Sequence, residues 1–299
     1  MKDAESVLFL GSSYWAAHLC TMLNEYSTQR AFTFKDWWRW LRLPRRRVCL
    51  VGVGPADSWK RQVFYQFARW SKRLRLAASP TIFWIGSDVL RLTSGLTEME
   101  GFRHVAGAQW LADEVRAHGY PCGSALFPVA LDTFDVQPFP EIDRLQVLCY
   151  IPDKASDVHG GEEILEVATE CPDIDFRVVG GSGTWCAEAP ANVVFAGWVD
   201  DMRAAMRAAH VVLRRTPHDA FSAIVREGML SGRHVVFTYD VEGVWHVPAG
   251  SAGELKGVLT LLSARLGEGS LTFNEVPAAQ RARLTDTRAQ AQTLADELA

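Results

Sequence analysis

Several marks of metal, redox and membrane proteins are missing from this sequence. Its six cysteines, Cys20, Cys49, Cys122, Cys149, Cys171 and Cys186, form no CxxC pair. Their spacing supports no zinc or redox centre, and a reduced cytosolic chain is the simple reading. No Asp-x-Asp metal pair stands in a convincing loop, and Asp200-Asp201 reads instead as the start of a helix. Gly52-Val53-Gly54 does not extend to GxGxxG, because Asp57 stands where the third glycine is needed. No apolar run approaches the ~18–20 residues of a membrane span. Met1-Lys2-Asp3-Ala4-Glu5 lacks the basic start of a signal peptide, and Val7–Leu10 is too short for its apolar core. No repeat or low-complexity tract stands out. The expectation is a cytoplasmic chain with neither metal nor cofactor.

Charge of one sign is also scarce overall. The formal net charge is −4, which names no polyanionic partner. Its distribution says more. Residues 1–140 hold 17 Lys and Arg against 12 Asp and Glu, whereas the rest hold 14 against 23. Such asymmetry reads either as a negative partner for the first half or as ordinary surface variation.

What is present is apolar residues in short runs. Hydrophobic residues make up 48% of the 299 and charged ones only 22%, a balance for packed cores. Domains run about 100–200 residues, so two are expected. Val7–Leu10, Val48–Val53, Thr81–Ile85 and Arg103–Ala106 read as strands. Helices are expected near Tyr14–Glu25, over Lys60–Leu76 and over Ala108–His118, the last stopped by Gly119 and Pro121. In Lys60–Leu76, the residues Val63, Phe67, Trp70 and Leu74 make one apolar stripe. Asp135–Arg144, with Pro138 and Pro140, reads as a linker.

Beyond the linker the alternation restarts. Strands are expected at Leu145–Ile151, Phe176–Val179, Val193–Ala196, Val211–Leu213 and His234–Thr238. Helices are expected at Gly161–Glu170, Met202–Ala209, Phe221–Leu230, Ala252–Leu266 and Ala278–Leu298. Alternating strands and helices imply parallel sheets covered by helices. The α/β pattern predicts two Rossmann-like domains facing a cleft, over residues 1–140 and 141–299, with the last helix free to pack back on the first.

The segment from Leu213 to Val236 reads strand, loop, helix, glycine, strand. Asp219 sits at the end of the loop and Ser222 near the first helical turn. Amides at a helix N-terminus favour a phosphate through the dipole and direct hydrogen bonds. Glu227 follows eight residues after Asp219, and a carboxylate there can accept two ribose hydroxyls. On spacing alone the two acids also read as a helix cap and a surface charge.

This segment resembles the acid–seven residues–acid motif of family-4 glycosyltransferases with the GT-B fold. Asp219-Ala220-Phe221-Ser222 and Glu227-Gly228-Met229 fill the places of Glu-Gly-Phe-Gly and of Glu-Ala with its helix end. The resemblance implies that Asp219 contacts the donor sugar, that the amides of the Ala220–Phe221–Ser222 turn hold the diphosphate, and that Glu227 binds the nucleotide ribose. Phe176–Gly183 is similar to the family's strand and glycine turn, which makes Gly181 a donor contact. Asn192–Val199 is similar to its nucleobase strand and loop, which adds Trp198 and Val199. Gly11-Ser12-Ser13 matches the glycine-bearing first loop, so Gly11 and Ser12 are candidates too.

The sequence also departs from the family. Asp219 replaces the usual Glu. Ile85 stands where many members have an active-site His, which leaves Asp88 in Trp84-Ile85-Gly86-Ser87-Asp88 as the second catalytic candidate. The basic pair for the diphosphate falls to Lys154, His159, Arg214 or Arg215, and a guanidinium can clamp a phosphate with two bonds. The resemblance implies transfer of a sugar from a nucleotide-sugar substrate with retention of configuration and no essential metal. Two other readings stand beside it: a catalytically silent GT-B homologue serving as a partner subunit or binding module, and a nucleotide-sugar epimerase.

Phe34–Arg47 is rich in Trp and Arg, and Lys60–Leu76 adds Arg61, Arg69, Lys72, Arg73 and Arg75. This chemistry suits an anionic membrane surface, at roughly 1 kcal/mol per basic residue, and with it a lipid-linked acceptor and a peripheral place on the membrane. A nucleic-acid acceptor is the weaker competitor, and a domain-packing helix with a wet basic face is the plain alternative.

Overall fold

The computed structural model describes residues 5–55 and 59–299. Asp57 and Met1–Ala4, which bear on the glycine and signal-peptide readings, lie outside them. Contacts divide the chain into two units. One comprises Met1–Ala130, His218–Phe221 and Asp286–Ala299, and the other Leu131–Pro217 and Ser222–Thr285.

In the first unit, short runs of Val, Leu, Ile and Phe form β1 (Ser6–Gly11), β2 (Arg30–Thr33), β3 (Arg46–Val51), β4 (Thr81–Trp84), β5 (Arg103–Ala106) and β6 (Cys122–Ser124). They pair in parallel in the order β2-β1-β3-β4-β5-β6. The helices are α1 (Ser13–Tyr26), α2 (Trp37–Trp40), α3 (Trp59–Arg73) and α4 (Gln109–Ala117). The path from β1 to β2 runs one way along the sheet, and every later step runs the other way. Right-handed crossovers therefore put α1 on one face and α2, α3 and α4 on the other.

The apolar stripe of α3 does not turn to the core. Val63, Trp70 and Leu74 are exposed, while Tyr65, Ala68 and Ser71 are buried. The small Ala68 and Ser71 let the helix lie close to the sheet. Tyr65 Oη donates back to the Val53 carbonyl at 2.9 Å. A periodic stripe of large residues is thus left on the outside.

The second unit repeats the plan. Its strands are β7 (Gln146–Tyr150), β8 (Asp175–Val179), β9 (Val193–Phe195), β10 (Val211–Arg214), β11 (His234–Phe237) and β12 (Trp245–His246). They are parallel, in the order β12-β11-β10-β7-β8-β9. Around them run α5 (Gly161–Glu170), α6 (Met202–Arg207), α7 (Ala223–Leu230), α8 (Ala252–Gly267) and α9 (Ala278–Thr285). The proline-rich 135–144 segment is extended and tied down. Arg233 donates to the carbonyls of Gln137 and Pro138 and lies 4.8 Å over the Phe139 ring.

The last expected helix is two. Asp286 interrupts it by accepting the Ala289 amide at 2.8 Å, which caps α10 (Thr287–Leu298). Ala291, Leu294 and Leu298 of α10 join Leu19 and Leu23 of α1 in the core of the first unit.

Candidate functional site

β10 is wholly apolar until Arg214, and Pro217 ends any continuation of the strand. The chain then turns through His218–Phe221 to Ser222 and α7. Phe221 holds φ at 61°, a left-handed conformation that costs an ordinary residue roughly 1–2 kcal/mol. Neighbours in the first unit hold it there. The buried Phe221 ring meets Trp110 edge to face at 5.6 Å, and Trp110 Nε1 donates to the Asp219 carbonyl at 2.6 Å. His218 Nδ1 lies 2.7 Å from Glu114 Oε1. Two glycines after β4 and β5 make room: a Cβ on Gly86, at φ 133°, would lie 2.9 Å from the His218 carbonyl oxygen, and one on Gly107 2.7 Å from Ala220 Cβ. Asp219 and Ala220 are buried.

Ser222 occupies the N-cap of α7, but its side chain does not cap the helix. Glu227 is half-buried on the same helix. Burial pushes its carboxyl up to about 7, opposed by the charge of Arg226. Arg226 is itself buried, and spacing gave no sign of it.

The candidate cations separate clearly. Arg215 is fully buried and bound to Glu163 through Nε at 3.2 Å and Nη2 at 2.7 Å, and it also donates to the carbonyls of Val247 and Pro248. This corrects the expectation that it could clamp a phosphate: its donors are used inside the fold. Arg214, at the end of β10, donates through Nη1 to His159 Nδ1 at 2.6 Å. Burial, and next the Arg214 charge, lower His159 to about 3, so the imidazole accepts as a neutral base. Lys154 is exposed in a short 3-10 turn after β7.

The glycine turn after β8 is already occupied by an acid. Asp153 accepts from the amides of Ser182, Gly183 and Thr184 at 2.9, 2.9 and 3.1 Å, and from Ser182 Oγ at 3.0 Å. These donors, the Ser182 amide first, hold its carboxyl below its ordinary value. Amides of this turn beyond Gly181 are therefore committed to Asp153 and not to a phosphate. Gly197 pairs with Gly180 and Gly181, which brings Trp198 beside the turn. The Trp198 indole is 70% exposed and its Nε1 donates to Asp200 Oδ1 at 3.0 Å. Val199 follows, half-buried, and Asp201 caps α6 through the Ala204 amide.

In the first unit Gly11 ends β1 and Ser12 precedes α1, its amide bonded to the Val51 carbonyl. Asp88 accepts from the amides of Ile85 at 3.0 and 3.1 Å and of Gly86 at 2.8 Å. Burial pushes its carboxyl up to about 7 against the pull of these amides. The group shapes its own turn.

Among the described residues no group of three or more His, Cys, Asp or Glu is placed to hold a metal, and no helix is long and apolar enough to cross a membrane. Trp110 and Glu114 were not legible as partners of the 218–221 turn, because they lie more than a hundred residues away in sequence.

Solved structures share this architecture. HepE of Anabaena in complex with UDP is 12% identical, with a TM-score of 0.67, over 98% of this chain and 99% of that one. The sucrose-phosphate synthase of Thermosynechococcus elongatus is 12% identical at a TM-score of 0.62, over 98% and 95%. The lipopolysaccharide outer core galactosyltransferase WaaB is 13% identical at 0.58, over 96% and 95%. At these identities the likeness shows the fold, an α/β two-domain GT-B fold. No family model matches the chain, and no curated protein does.

Proposed function

We propose that the chain is a glycosyltransferase that takes a sugar from a uridine diphosphate sugar and passes it to an acceptor with retention of configuration. The observation that carries this reading is the left-handed Phe221, next to buried Asp219 and at the entry to α7. Strain of this kind persists where surrounding structure imposes it, and it clusters at functional sites. Structures of the same fold in complex with UDP and with UDP-glucose support a uridine donor.

In this reading the amides of Phe221 and Ser222 and the Arg214 guanidinium stabilise charge on the departing diphosphate. Glu227 takes the ribose hydroxyls, Trp198 and Val199 border the base, and Asp219 meets the sugar. The bond from the anomeric carbon to the diphosphate oxygen breaks, the acceptor oxygen bonds to that carbon, and the acceptor proton passes to the departing diphosphate. A lipid-linked acceptor and a peripheral place on the membrane fit the same reading, given the exposed aromatic and basic face of the first unit. Six free cysteines are in keeping with the cytoplasm.

The test is a thermal-shift screen of UDP-, GDP-, ADP- and TDP-sugars followed by transfer assays, with Glu227→Ala as control. A ligand at 100 times its Kd adds about 2.7 kcal/mol. Absence of any shift together with absence of turnover overturns the proposal. One observation favours a second reading, a silent homologue that binds but does not transfer. Ile85 replaces the family's His, and both Asp88 oxygens are held by backbone amides. A donor-induced shift without turnover selects it.

A further inference from the structure

We propose that the outer face of α2 and α3 in the first unit is a docking surface for an anionic lipid bilayer. The inference deepens the peripheral membrane place proposed above, does not depend on the donor site, and rests on a face that is exposed among the described residues. Along α3, Trp59, Val63, Phe67, Trp70 and Leu74 follow one another at helical spacing, over a helix about 22 Å long. Trp59 is 71%, Trp70 55% and Leu74 60% exposed. Phe34, just before α2, meets Phe67 edge to face at 6.0 Å, which joins the stripe to the exposed Trp37 and Trp38. The crossover geometry that puts α2 and α3 on one side of the sheet makes this a single face.

The two segments that build it are strongly basic, with Glu100 of the adjoining loop the acid beside Arg69, Lys72 and Arg73. Residues 30–47 and 59–76 together hold thirteen Lys and Arg and a single acid, Asp36, in a chain whose net charge is −4. Asp36 lies 3.8 Å from Arg39. Lys35, Arg39, Arg42, Arg45, Lys72, Arg73 and Arg75 are exposed. Two guanidinium groups sit over exposed indoles, Arg42 on Trp38 at 5.1 Å and Arg73 on Trp70 at 5.8 Å. Ring and cation are therefore offered at the same depth.

That combination matches the boundary layer of a bilayer. Indoles sit at headgroup level, and basic side chains lay their stems on apolar surface while keeping the charge in water. A helix with an apolar stripe and a basic border lies in the interface plane. Protein interfaces deplete Lys and other charges at their centres. Single-stranded nucleic acid wants successive ring faces for stacking, whereas Val63 and Leu74 interrupt the aromatic series with aliphatic groups. A lipid surface accepts both kinds of side chain.

The test uses the full chain and sedimentation with two vesicle types, pure phosphatidylcholine and phosphatidylcholine containing phosphatidylglycerol. The protein is expected to pellet with the anionic vesicles and to stay in solution with the neutral ones. Raising the salt should weaken binding about tenfold or more, since exposed charges are screened within ~3 Å at 1 M. Brominated acyl chains in the anionic vesicles should quench tryptophan fluorescence. Trp59→Ala/Trp70→Ala/Leu74→Ala, all exposed positions, should keep the circular dichroism of the parent and lose the quenching. Lys72→Glu/Arg73→Glu should lose sedimentation. Absence from both pellets, equal partition on the two vesicle types, or binding to single-stranded RNA with no binding to vesicles overturns the proposal, and the first two need no variant.

Discussion

On the proposed reading, in which Glu227 takes the ribose hydroxyls, Glu227→Gln removes a titration that should make donor binding depend on pH. In the ligand-free protein burial places this carboxyl at about 7, well above its ordinary 4.5. A ribose offers two hydroxyl donors, so the ionised carboxylate, an acceptor only, is the form that binds it. With a value near 7, about a tenth of the protein is ionised at pH 6 and about nine-tenths at pH 8. The apparent affinity for UDP-glucose should rise about ninefold across that range, or ~1.3 kcal/mol. Glutamine keeps the shape and one acceptor and does not titrate, so the variant should bind more weakly at pH 8 and show a flat profile. Calorimetric titration in buffers of different ionisation heat reads both the affinity and the proton released on binding. A flat profile in the parent protein, or the same rise in the variant, would refute the role given to Glu227. The free protein should show the opposite sign. A carboxyl raised on folding favours the protonated folded state, so its contribution is full below pH 4.5 and is lost as pH rises through 7. Without donor, Glu227→Gln should gain stability on the parent between pH 5 and pH 8.

Arg215→Ala should cost about 3–5 kcal/mol in chemical denaturation, because it strands buried Glu163 and two carbonyls; an unchanged midpoint would contradict the structural role. Arg214→Ala should weaken donor binding about tenfold, read by the same titrations, with an unchanged affinity counting against its place at the diphosphate. Leu294→Ala in α10 should destabilise by about 2–5 kcal/mol, since the side chain is buried in the core of the first unit; a change below half a degree in melting would speak against that packing. An aromatic disulfide reagent at pH 8 should titrate one thiol, Cys186, in the native protein. Burial raises Cys20 and Cys122 to about 12 and raises Cys49, Cys149 and Cys171 as well, and rapid reaction of several thiols before unfolding would count against it.

Legibility followed how local the cause was. α5 is readable to the residue, because Glu162 and Glu163 mark its first turn and Ile164, Val167 and Ala168 keep the helical period. β2, β6 and β12 were not, since each is two to four residues long and owes its place to pairing with a neighbour rather than to a run of its own. The apolar stripe of α3 was legible, but which face meets the sheet was not, because close approach to the sheet selects the small Ala68 and Ser71. In the candidate site the backbone pattern from β10 to α7 was legible as strand, turn and helix. The commitment of Arg215 to Glu163, 52 residues away, and of Asp153 to the glycine turn was not, because those partners are set by tertiary packing.

The energetics of the 219–227 segment argue for a ligand more strongly than its spacing does. A left-handed Phe221 and a carboxyl raised by burial are each unfavourable locally. By contrast Arg215, another buried charge of the region, makes four hydrogen bonds inside the fold. Trp110 supplies what the turn needs to persist, a ring against Phe221 and a hydrogen bond to Asp219, both from α4. The Asp219–Phe221 turn is thus held by packing within the first unit. A surface loop selected only for packing would relax the strain with a glycine at position 221 and place an apolar residue at 227. Keeping both costs, with packing that sustains them, is what an anion and a diol would require of this turn and helix.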